Sequence, residues 1–374
     1  MSESERVIAR VRGGVGRLTL NRPEALNALD LDMALAMSAA LDAWRDDPEV
    51  AVVVLDGAGE RGFCAGGDVR GLYRQIVEED ADAAGIFFRH EYALDAAIAE
   101  FPKPVVALAD GITMGGGIGL AGHAAIRVVT ERSRLAMPET RIGFTPDVGG
   151  TWLLAHAPGR VGEYLGLTGE SMDAADACYA GFADVFVPSD RLDALRRDPR
   201  SLSDERSEES KRAEPPSHED HRVSSRHSGP RSTTGGTPDS GGGESRLAAA
   251  RAWIDDAFAA DTVPEIVERL RHRPEPSAAA TADILESLAP TALAVTLAAV
   301  RRARGLPDLR AALEQEYGLV MWFCTTQPDL VEGIRAQLVD KDRNPRWQPA
   351  TLAELAPDLV ASAFAFRPGI PLWS

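Results

Sequence analysis

The sequence predicts an α/β fold in which short buried strands alternate with helices, followed by a helical C-terminal region. Two apolar runs, "VAVVVLDG" at residues 50–57 and "PVVALADG" at residues 104–111, have the continuous hydrophobicity of buried parallel strands. A long amphipathic stretch from about residue 78 to 100 lies between them. Beyond residue 245 the apolar residues recur at helical spacing, which predicts the helical region.

The remaining elements of the first part follow in order from the N-terminus. The segments "RVIARV" and "GRLTL" flank Gly13 and Gly14 and alternate apolar with polar residues, which predicts a β-hairpin. An apolar-periodic segment then predicts a helix capped by Asp30. After the second buried strand, a glycine-rich turn, an apolar helix and the strand "AIRVVTE" repeat the pattern, so residues 1–195 are interpreted as the core of the domain.

Residues 196–245 interrupt this pattern. Only Leu202, Ala213 and Val223 are apolar in a segment of Ser, Glu, Arg, Pro and Gly. Such a segment has almost nothing to bury against the entropy lost when a chain is ordered. We therefore predict a low-complexity, disordered insertion. A natural linker and a shifted reading frame both fit this composition.

The C-terminal region, residues 246–374, is predicted to be helical and to complete the domain. Four segments within or next to it carry helical periodicity, namely "SRLAAARAWIDDAFA", "VPEIVERLRHR", "ALAVTLAAVRRARGL" and "DLRAALEQEYGLVMWFC". The region contains no long polar tract comparable to residues 196–245.

Composition and charge exclude several kinds of partner. The chain carries a formal charge of −17 without a basic stripe, which disfavours nucleic acid and anionic membranes. There is no apolar run of about eighteen residues, and charges occupy "MSESERVIAR", where a signal peptide needs an apolar core. We therefore expect a cytoplasmic protein without a membrane span. Three cysteines without CxxC spacing predict no metal site.

Two glycine-rich loops each follow a predicted strand. In "FCAGGDVRGLY", Gly66 and Gly67 free the backbone for close approach to a ligand, although a simple strand-to-helix connection capped by Asp68 explains the loop equally well. "GITMGGGIGLAGHA" repeats the arrangement with three glycines before a helix expected to begin near Gly117. Neither loop matches a nucleotide-binding pattern. Two backbone N–H groups converging on one carbonyl oxygen would form an oxyanion hole.

Residues 137–150, "MPETRIGFTPDVGG", contain two acids in a segment that Pro and Gly interrupt too often for a regular helix. Such a loop can fold Glu139 and Asp147 onto one pocket, where they would serve acyl chemistry beside an oxyanion hole. Taken singly, Asp147 equally fits an N-cap of the helix that follows, and Glu139 a solvated loop acid.

Motifs along the whole chain resemble those of a known family. They are "LNRPEALNAL", "GFCAGGDVRGLY", "GITMGGGIGL", "AMPETRIGFTPDVGG", "LTGESMDAADACYAGFADVFVP" and "EGIRAQLVDKDRNPRW". In this order and spacing, the chain resembles the enoyl-CoA hydratase/isomerase (crotonase) superfamily, and within it the 3-hydroxyisobutyryl-CoA hydrolases. The resemblance implies a crotonase-like spiral of ββα repeats with a C-terminal helical region, and a ligand joined to coenzyme A by a thioester.

The resemblance also implies roles for individual residues. Gly67 and Gly116 resemble the oxyanion-hole donors of the family. Glu139 resembles the main catalytic carboxylate, and Asp147 its partner. Glu91, in "FFRHEYAL", resembles a further acid of the substrate pocket. Glu91, Gly116, Glu139 and Asp147 are therefore expected to contact the substrate.

One departure from the hydratases bears on the reaction. Hydratases of this superfamily carry a second catalytic glutamate at the position of Gly119, which disfavours water addition by paired glutamates in this chain. The resemblance therefore implies hydrolysis of 3-hydroxyisobutyryl-CoA to 3-hydroxyisobutyrate and coenzyme A, a step of valine breakdown. The alternatives are a hydratase or isomerase acting with Glu139 alone, and a non-catalytic acyl-CoA binding protein.

The expected partner is an acyl-CoA substrate. No separate cofactor is expected, because coenzyme A is part of that substrate. The family often forms trimers, so a homo-oligomer is compatible with the resemblance.

Overall fold

Two β-sheets form the centre of the fold, one of six strands and one of three. The computed structural model describes residues 5–79, 81–200, 202 and 243–373. The larger sheet has the order β1-β2-β3-β5-β7-β9, and the smaller has the order β4-β6-β8. The strands are β1 (Val7–Arg12), β2 (Val15–Leu20), β3 (Val52–Gly57), β4 (Gly62–Cys64), β5 (Val105–Leu108), β6 (Ile112–Met114), β7 (Ile126–Val129), β8 (Arg134–Ala136) and β9 (Val185–Phe186).

Helices cover the sheets and make up most of the C-terminal region. The first eight are α1 (Leu31–Arg45), α2 (Val69–Arg74), α3 (Ala81–Ala99), α4 (Gly116–Gly122), α5 (Gly150–His156), α6 (Val161–Thr168), α7 (Ala174–Ala180) and α8 (Leu192–Arg197). The others are α9 (Arg246–Ala257), α10 (Val263–Arg271), α11 (Pro276–Ser287), α12 (Pro290–Ala303), α13 (Leu309–Thr326), α14 (Asp329–Ile334) and α15 (Leu359–Ala365). A short 3₁₀ turn spans Glu139–Ile142.

The repeated units are ββα units, as the resemblance to the crotonase superfamily implied. In each unit the first strand (β3, β5 or β7) joins the large sheet and the second (β4, β6 or β8) joins the small one. Neighbouring strands are parallel in both sheets, apart from the antiparallel pair β1–β2, which is the predicted hairpin. The chain therefore advances as a spiral that builds two sheets at once.

The three strands of the small sheet were missed in the sequence. The glycine loops were expected to follow β3 and β5 directly, but β4 and β6 lie between. Each strand of the small sheet has only three residues, too few for a period of two to be visible. The correction matters because these short strands carry the loops that were singled out.

The predicted helices are confirmed at α1, α3, α4, α9, α10, α12 and α13. Asp30 caps α1, since its Oδ1 accepts a hydrogen bond from the Met33 N–H at 3.0 Å. Helices α11, α14 and α15 were not predicted. Within the described ranges no single helix is long and apolar enough to cross a membrane, and the pair α11–α12, bent by 115°, meets only the length and composition criteria.

The C-terminal helices and the ββα units share one hydrophobic core. A single cluster of buried side chains includes Leu18 on β2, Phe63 on β4 and Phe323 on α13. Helix α13 packs along α3 and also contacts α5. The C-terminal region therefore contributes directly to the core that supports the loops after the small sheet.

The predicted insertion at 196–245 lies mostly outside the described residues, so its disorder stays a prediction. Its described ends belong to the folded part. Arg196 lies in α8 and donates to Asp56 Oδ2 at 2.8 Å. Leu202 is only 1% exposed, and Ser245 caps α9. The folded part therefore extends several residues into the predicted segment from both sides.

Replacing residues 203–242 with a Gly/Ser bridge should leave the melting temperature close to that of the full chain. The segment has almost no apolar surface to contribute, and a doubling of loop length changes closure entropy by only ~0.6 kcal/mol. As a control, Leu202→Ala should lower the free energy of unfolding by about 2–5 kcal/mol because Leu202 is buried. A deletion variant less stable than Leu202→Ala would show that the segment is structural.

Candidate active site

The small sheet brings three of the predicted residues to one edge. Strand β6 pairs in parallel with β4 on one side and with β8 on the other. Gly67, Gly116 and Glu139 each follow the end of one of these strands within three residues. Because the carboxyl ends of parallel strands meet at the same edge, the three residues come together although long stretches of chain separate them.

A cavity of about 520 Å³ opens at this edge, a size typical of sites for small ligands. All five residues predicted for the site line it, namely Gly67, Glu91, Gly116, Glu139 and Asp147. Apolar side chains from α2, α3, the loop after the 3₁₀ turn and the C-terminal region complete the wall, including Leu72, Phe87, Phe88, Phe144, Leu288, Leu338 and Trp347. The structure thus places every predicted site residue in one apolar pocket with a few polar groups.

The two glycine loops lie against each other. A Cβ atom built on Gly116 would lie 3.3 Å from the Gly67 nitrogen, and one built on Gly66 would lie 3.6 Å from the Gly116 nitrogen. Gly66 and Gly115 have φ values of +106° and +49°, which side chains rarely tolerate. Within the described ranges, neither the Gly67 nor the Gly116 N–H donates to a protein acceptor. Two neighbouring N–H groups are therefore available to a ligand in the cavity.

The simpler explanations of these loops are correct in part. Asp68 does cap α2, since its Oδ1 accepts from the Gly71 N–H at 3.1 Å. Helix α4 begins at Gly116, and a Cβ atom on Gly117 would collide with the Cys64 carbonyl oxygen. Close packing thus explains Gly117, whereas it leaves the free N–H groups of Gly67 and Gly116 unexplained.

Glu139 is a buried acid. The alternative interpretation, that it is a solvated loop residue, is therefore wrong. It lies in the 3₁₀ turn and is 6% exposed. A Cβ atom on Gly115 would lie 3.0 Å from its Oε1. Its Oε2 has no hydrogen-bond partner among the described residues. The carboxyl group therefore lies beside the second glycine loop, inside the cavity.

Asp147 does not cap the helix that follows it. The N-cap of α5 is Gly149, with no side-chain hydrogen bond of its own. Asp147 is 6% exposed, and its Oδ2 instead accepts a hydrogen bond from the Tyr92 hydroxyl at 2.7 Å. The capping alternative is therefore wrong, and the carboxyl group is available to the cavity that it lines.

Glu316 on α13 satisfies the start of α5 in place of Asp147. Its Oε2 accepts from the Gly149 N–H at 2.6 Å, and its Oε1 accepts from the Thr151 N–H at 2.8 Å and from the Thr151 hydroxyl. Glu316 is fully buried. Sequence reasoning missed it, although an acid on the apolar face of a helical segment was a usable signal.

The backbone between these residues is held in a rare conformation. Val148 has φ +54°, which a β-branched residue adopts only under constraint from its surroundings. His123 Nε2 donates to the Val148 carbonyl oxygen at 2.8 Å, and Glu316 holds the next residue. The turn that carries Asp147 is therefore fixed from two other elements.

Helix α3 contributes two more buried acids, Glu91 and Asp95, one helical turn apart. A Cβ atom on Gly116 would collide with Glu91 Oε1, and one on Gly119 would lie 2.8 Å from both carboxyl oxygens of Asp95. Neither oxygen of Asp95 has a partner among the described residues. The glycines of α4 thus leave the space that the acids of α3 fill. Asp95 was not predicted, although two acids at i and i+4 in an apolar helix were a signal.

The buried acids of the site form no ion pair within the described ranges. Burial, reinforced by the charge of Asp147, raises the pKa of Glu91 and of Glu139 well above the usual range. Burial also raises the pKa of Asp147, to about 7, against the lowering effect of the Tyr92 hydrogen bond. Burial thus raises the pKa of Glu91, Glu139 and Asp147, which all line the cavity. The part of the chain that the structure describes contains no residue cluster suited to a metal ion.

Glu316→Gln should destabilise the protein more than Asp147→Asn. Gln turns an amide NH₂ toward N–H groups at the start of α5, which leaves a buried donor unpaired and costs about 1–3 kcal/mol. Asn keeps an oxygen that the Tyr92 hydroxyl can reach and removes a buried charge. Urea unfolding at neutral pH measures both. Equal destabilisation by the two changes would mean that Asp147 also holds the helix start.

Comparison with known proteins extends over nearly the whole chain. The family model for enoyl-CoA hydratase/isomerase matches residues 15–364. A relative from Gallus gallus named "3-hydroxyisobutyryl-CoA hydrolase, mitochondrial" is 37% identical over 96% of this chain and 88% of its own length. The Homo sapiens protein of the same name is 36% identical over 96% of this chain and 89% of its own.

Solved structures show the same architecture. A carnitinyl-CoA dehydratase from Mycobacterium thermoresistibile is 42% identical, with a TM-score of 0.83 over 98% of both chains. An enoyl-CoA hydratase from Rhodobacter sphaeroides is 41% identical, with a TM-score of 0.80 over 96% of this chain and 97% of its own. The family match, the sequence identity and the shared fold agree, and the chain belongs to the enoyl-CoA hydratase/isomerase family.

Proposed function

We propose that the chain hydrolyses the thioester of 3-hydroxyisobutyryl-CoA to 3-hydroxyisobutyrate and coenzyme A. The observation that carries this proposal is the pair of free N–H groups, on Gly67 and Gly116, beside the buried carboxyl of Glu139 in one cavity. The relatives that align over most of their length bear the name of this hydrolase. The reaction would be a step of valine breakdown.

The thioester carbonyl oxygen binds between the N–H groups of Gly67 and Gly116. Negative charge develops on this oxygen as the tetrahedral species forms, and the two donors lie on loops that contact each other. One donor of this kind is typically worth ~3–4 kcal/mol of transition-state stabilisation. The apolar wall of the cavity excludes water and strengthens this interaction.

Glu139 either attacks the carbonyl carbon itself or activates the water that attacks it. As a nucleophile, its carboxylate attacks that carbon, the C–S bond breaks with release of coenzyme A as thiolate, and water opens the resulting anhydride. As a general base, it takes a proton from a water that attacks the same carbon. Both routes need Glu139 ionised, so its proton must leave first.

The two remaining polar roles concern the substrate. Asp147 binds the 3-hydroxyl of the acyl group or manages the proton of the leaving thiolate. Glu91 forms the pocket wall next to Gly116, where its raised pKa keeps it a hydrogen-bond donor. A hydroxylated, branched acyl group fits a small apolar pocket with these two acids.

Coenzyme A is an anion, and the chain carries a net charge of −17. Local cations must therefore bind its phosphates against the overall field. Arg141 and Arg343 line the cavity, and Arg74 lines an adjoining cavity of about 360 Å³ that shares three lining residues with the first. We assign the phosphate contacts to this group of arginines.

A hydratase is the second candidate, because the two solved structures described above are named as a dehydratase and a hydratase. The carboxyl of Asp95 also lies where a side chain at position 119 would begin. However, Asp95 is fully buried and is not among the described residues that line the cavity. It cannot contact a substrate in this conformation, so Glu139 would have to act without a second acid of the hydratase kind.

The cellular address and the assembly state remain proposals. A cytoplasmic location was expected from the N-terminal sequence, whereas the relatives carry "mitochondrial" in their names. We propose a homo-oligomer on the basis of the family resemblance alone.

Thiol release from a panel of coenzyme A thioesters tests the proposed function. The panel contains 3-hydroxyisobutyryl-CoA, its unbranched 3-hydroxy analogue and an enoyl-CoA, the last also followed by loss of the conjugated double bond. Thiol release that is fastest with the branched hydroxy substrate supports the hydrolase. Double-bond hydration without thiol release would indicate the hydratase, and tight binding without either reaction would indicate a binding protein.

Glu139→Gln and Asp147→Asn should each lower kcat by about 100-fold or more, while KM changes far less. Both substitutions keep shape and remove the charge that the reaction uses. Asp308→Asn is the matched control, because Asp308 caps α13 away from the cavity and Asn is about as good a cap. Full turnover in Asp147→Asn would exclude Asp147 from the reaction, and full turnover in Glu139→Gln would exclude the mechanism as a whole.

A further inference from the structure

Tyr92 lies directly behind Asp147 and has no assigned role. It follows Glu91 on α3, is fully buried, and is not among the described residues that line the cavity. Its hydroxyl donates to Asp147 Oδ2 at 2.7 Å. Asp147 therefore lies between the cavity and Tyr92.

The ring of Tyr92 is held by aromatic neighbours on two helices. Its centroid lies 6.0 Å from that of Phe88 on α3 and 6.3 Å from that of Tyr317 on α13, both in edge-to-face geometry. A fully buried ring with such contacts has little rotational freedom. The hydroxyl is thus presented to Asp147 from a fixed position.

We propose that Tyr92 is a positioning residue for Asp147, holding Oδ2 so that Oδ1 is left to act on a bound substrate, and favouring the ionised form of the acid. The consequence for turnover rests on the proposed hydrolase function. The effect on ionisation does not, because it follows from the hydrogen bond alone.

The groups that surround Asp147 make the hydrogen bond from the Tyr92 hydroxyl important. The titratable groups that face Asp147 from the elements packed against it are Glu91 and Asp95 on α3, Glu139 on its own loop, His123 after α4, and Glu316 and Cys324 on α13. None of these groups supplies a cation to the Asp147 carboxylate, so its side-chain donor is the Tyr92 hydroxyl. Burial lowers the pKa of His123 to about 4, so that ring is neutral at pH 7.

Tyr92 counteracts the effect of burial on the pKa of Asp147. Burial raises the pKa of Asp147 to about 7, and the hydrogen bond from Tyr92 is the main influence that lowers it. Burial and the charge of Asp147 also raise the pKa of Tyr92 well above its usual range, so the hydroxyl keeps its proton and remains a donor. Without this donor, Asp147 would be protonated over a wider range of pH.

The backbone supports the same interpretation. Val148 holds a strained φ of +54°, its carbonyl oxygen accepts from His123, and the N–H of Gly149 donates to Glu316. Such strain persists only where the surroundings determine the conformation. Contacts with three separate elements thus fix Asp147, with Tyr92 acting on the side chain and the other two on the backbone.

Tyr92→Phe tests the proposal through the ionisation of Asp147. The pH titration of ¹³C-labelled aspartate carboxyls is followed by NMR in the full chain, and the Asp147 signal is identified by its absence from Asp147→Asn. We expect Tyr92→Phe to raise the Asp147 midpoint by about one pH unit or more, the effect of losing a hydrogen bond to a charged group. Tyr164→Phe is the matched control, since that hydroxyl donates to Glu170 at 2.7 Å, away from the cavity.

Turnover provides the second measurement. The limb of the pH–rate profile that reflects Asp147 should move upward in Tyr92→Phe by the same amount as the NMR midpoint, and should stay in place in Tyr164→Phe. A merely structural role would lower the rate equally at every pH and leave the limb where it is. That result, or an unchanged NMR midpoint, overturns the proposal. If no thioester is hydrolysed, the proposed function fails while the NMR titration still decides the role of Tyr92.

A second variant keeps the ring in place in case Tyr92→Phe does not fold. A fluorinated tyrosine introduced at position 92 has nearly the same shape but a more acidic hydroxyl, which is a stronger donor. It should shift the Asp147 midpoint downward, opposite to Phe. A shift in the same direction as Phe, or none, contradicts the assignment.

Discussion

The burial of several carboxyl groups without a paired cation is the constraint on which the rest of the site depends. A buried carboxylate is stable only if donors satisfy it, and otherwise the group keeps its proton. Asp147 and Glu316 accept hydrogen bonds from Tyr92 and from the start of α5. Glu91 and Glu139 each keep an oxygen without a partner among the described residues. Burial raises the pKa of all four acids, but they differ in the donors that satisfy them, and such differences in environment are what separate the roles of acids in acid–base chemistry.

This difference in donors depends on the C-terminal region. The start of α5 needs an acceptor for its N–H groups, and the nearest acid in the sequence is Asp147. Glu316 supplies the acceptor from α13, beyond the 196–245 segment, and leaves Asp147 free to line the cavity. A chain without α13 would face a choice between capping α5 and lining the site with Asp147. The helical region is thus part of the site and not only a cover over it.

Local signals in the sequence predicted most of the fold, the two glycine loops and the acids Glu139 and Asp147, whereas Glu91 was expected only from the family resemblance. Buried strands, the capped α1 and the glycine loops are each readable within a few residues. Tyr92 and Glu316 were missed because their contacts cross 55 and 165 residues of chain, and no local pattern reports such a partner. For the same reason, the sequence left open whether Asp147 caps α5 or lines the cavity. The answer depended on whether another acid could reach α5.

The packing of α3 against α4 bears on the choice between reaction classes. The two glycine loops alone do not decide it, since a pair of backbone N–H donors would serve any reaction that places charge on a thioester oxygen. A second acid at position 119 would need the space that the Asp95 carboxyl occupies, 2.8 Å from where a Cβ atom would lie. Asp95 is sealed from the cavity and lacks any partner among the described residues, so it must hold a proton in place. Presenting two acids to a substrate in the hydratase manner would therefore require α3 to repack. As long as Asp95 fills this space, the carboxyl groups that line the cavity are those of Glu91, Glu139, Asp147 and Asp68, and none of them comes from α4.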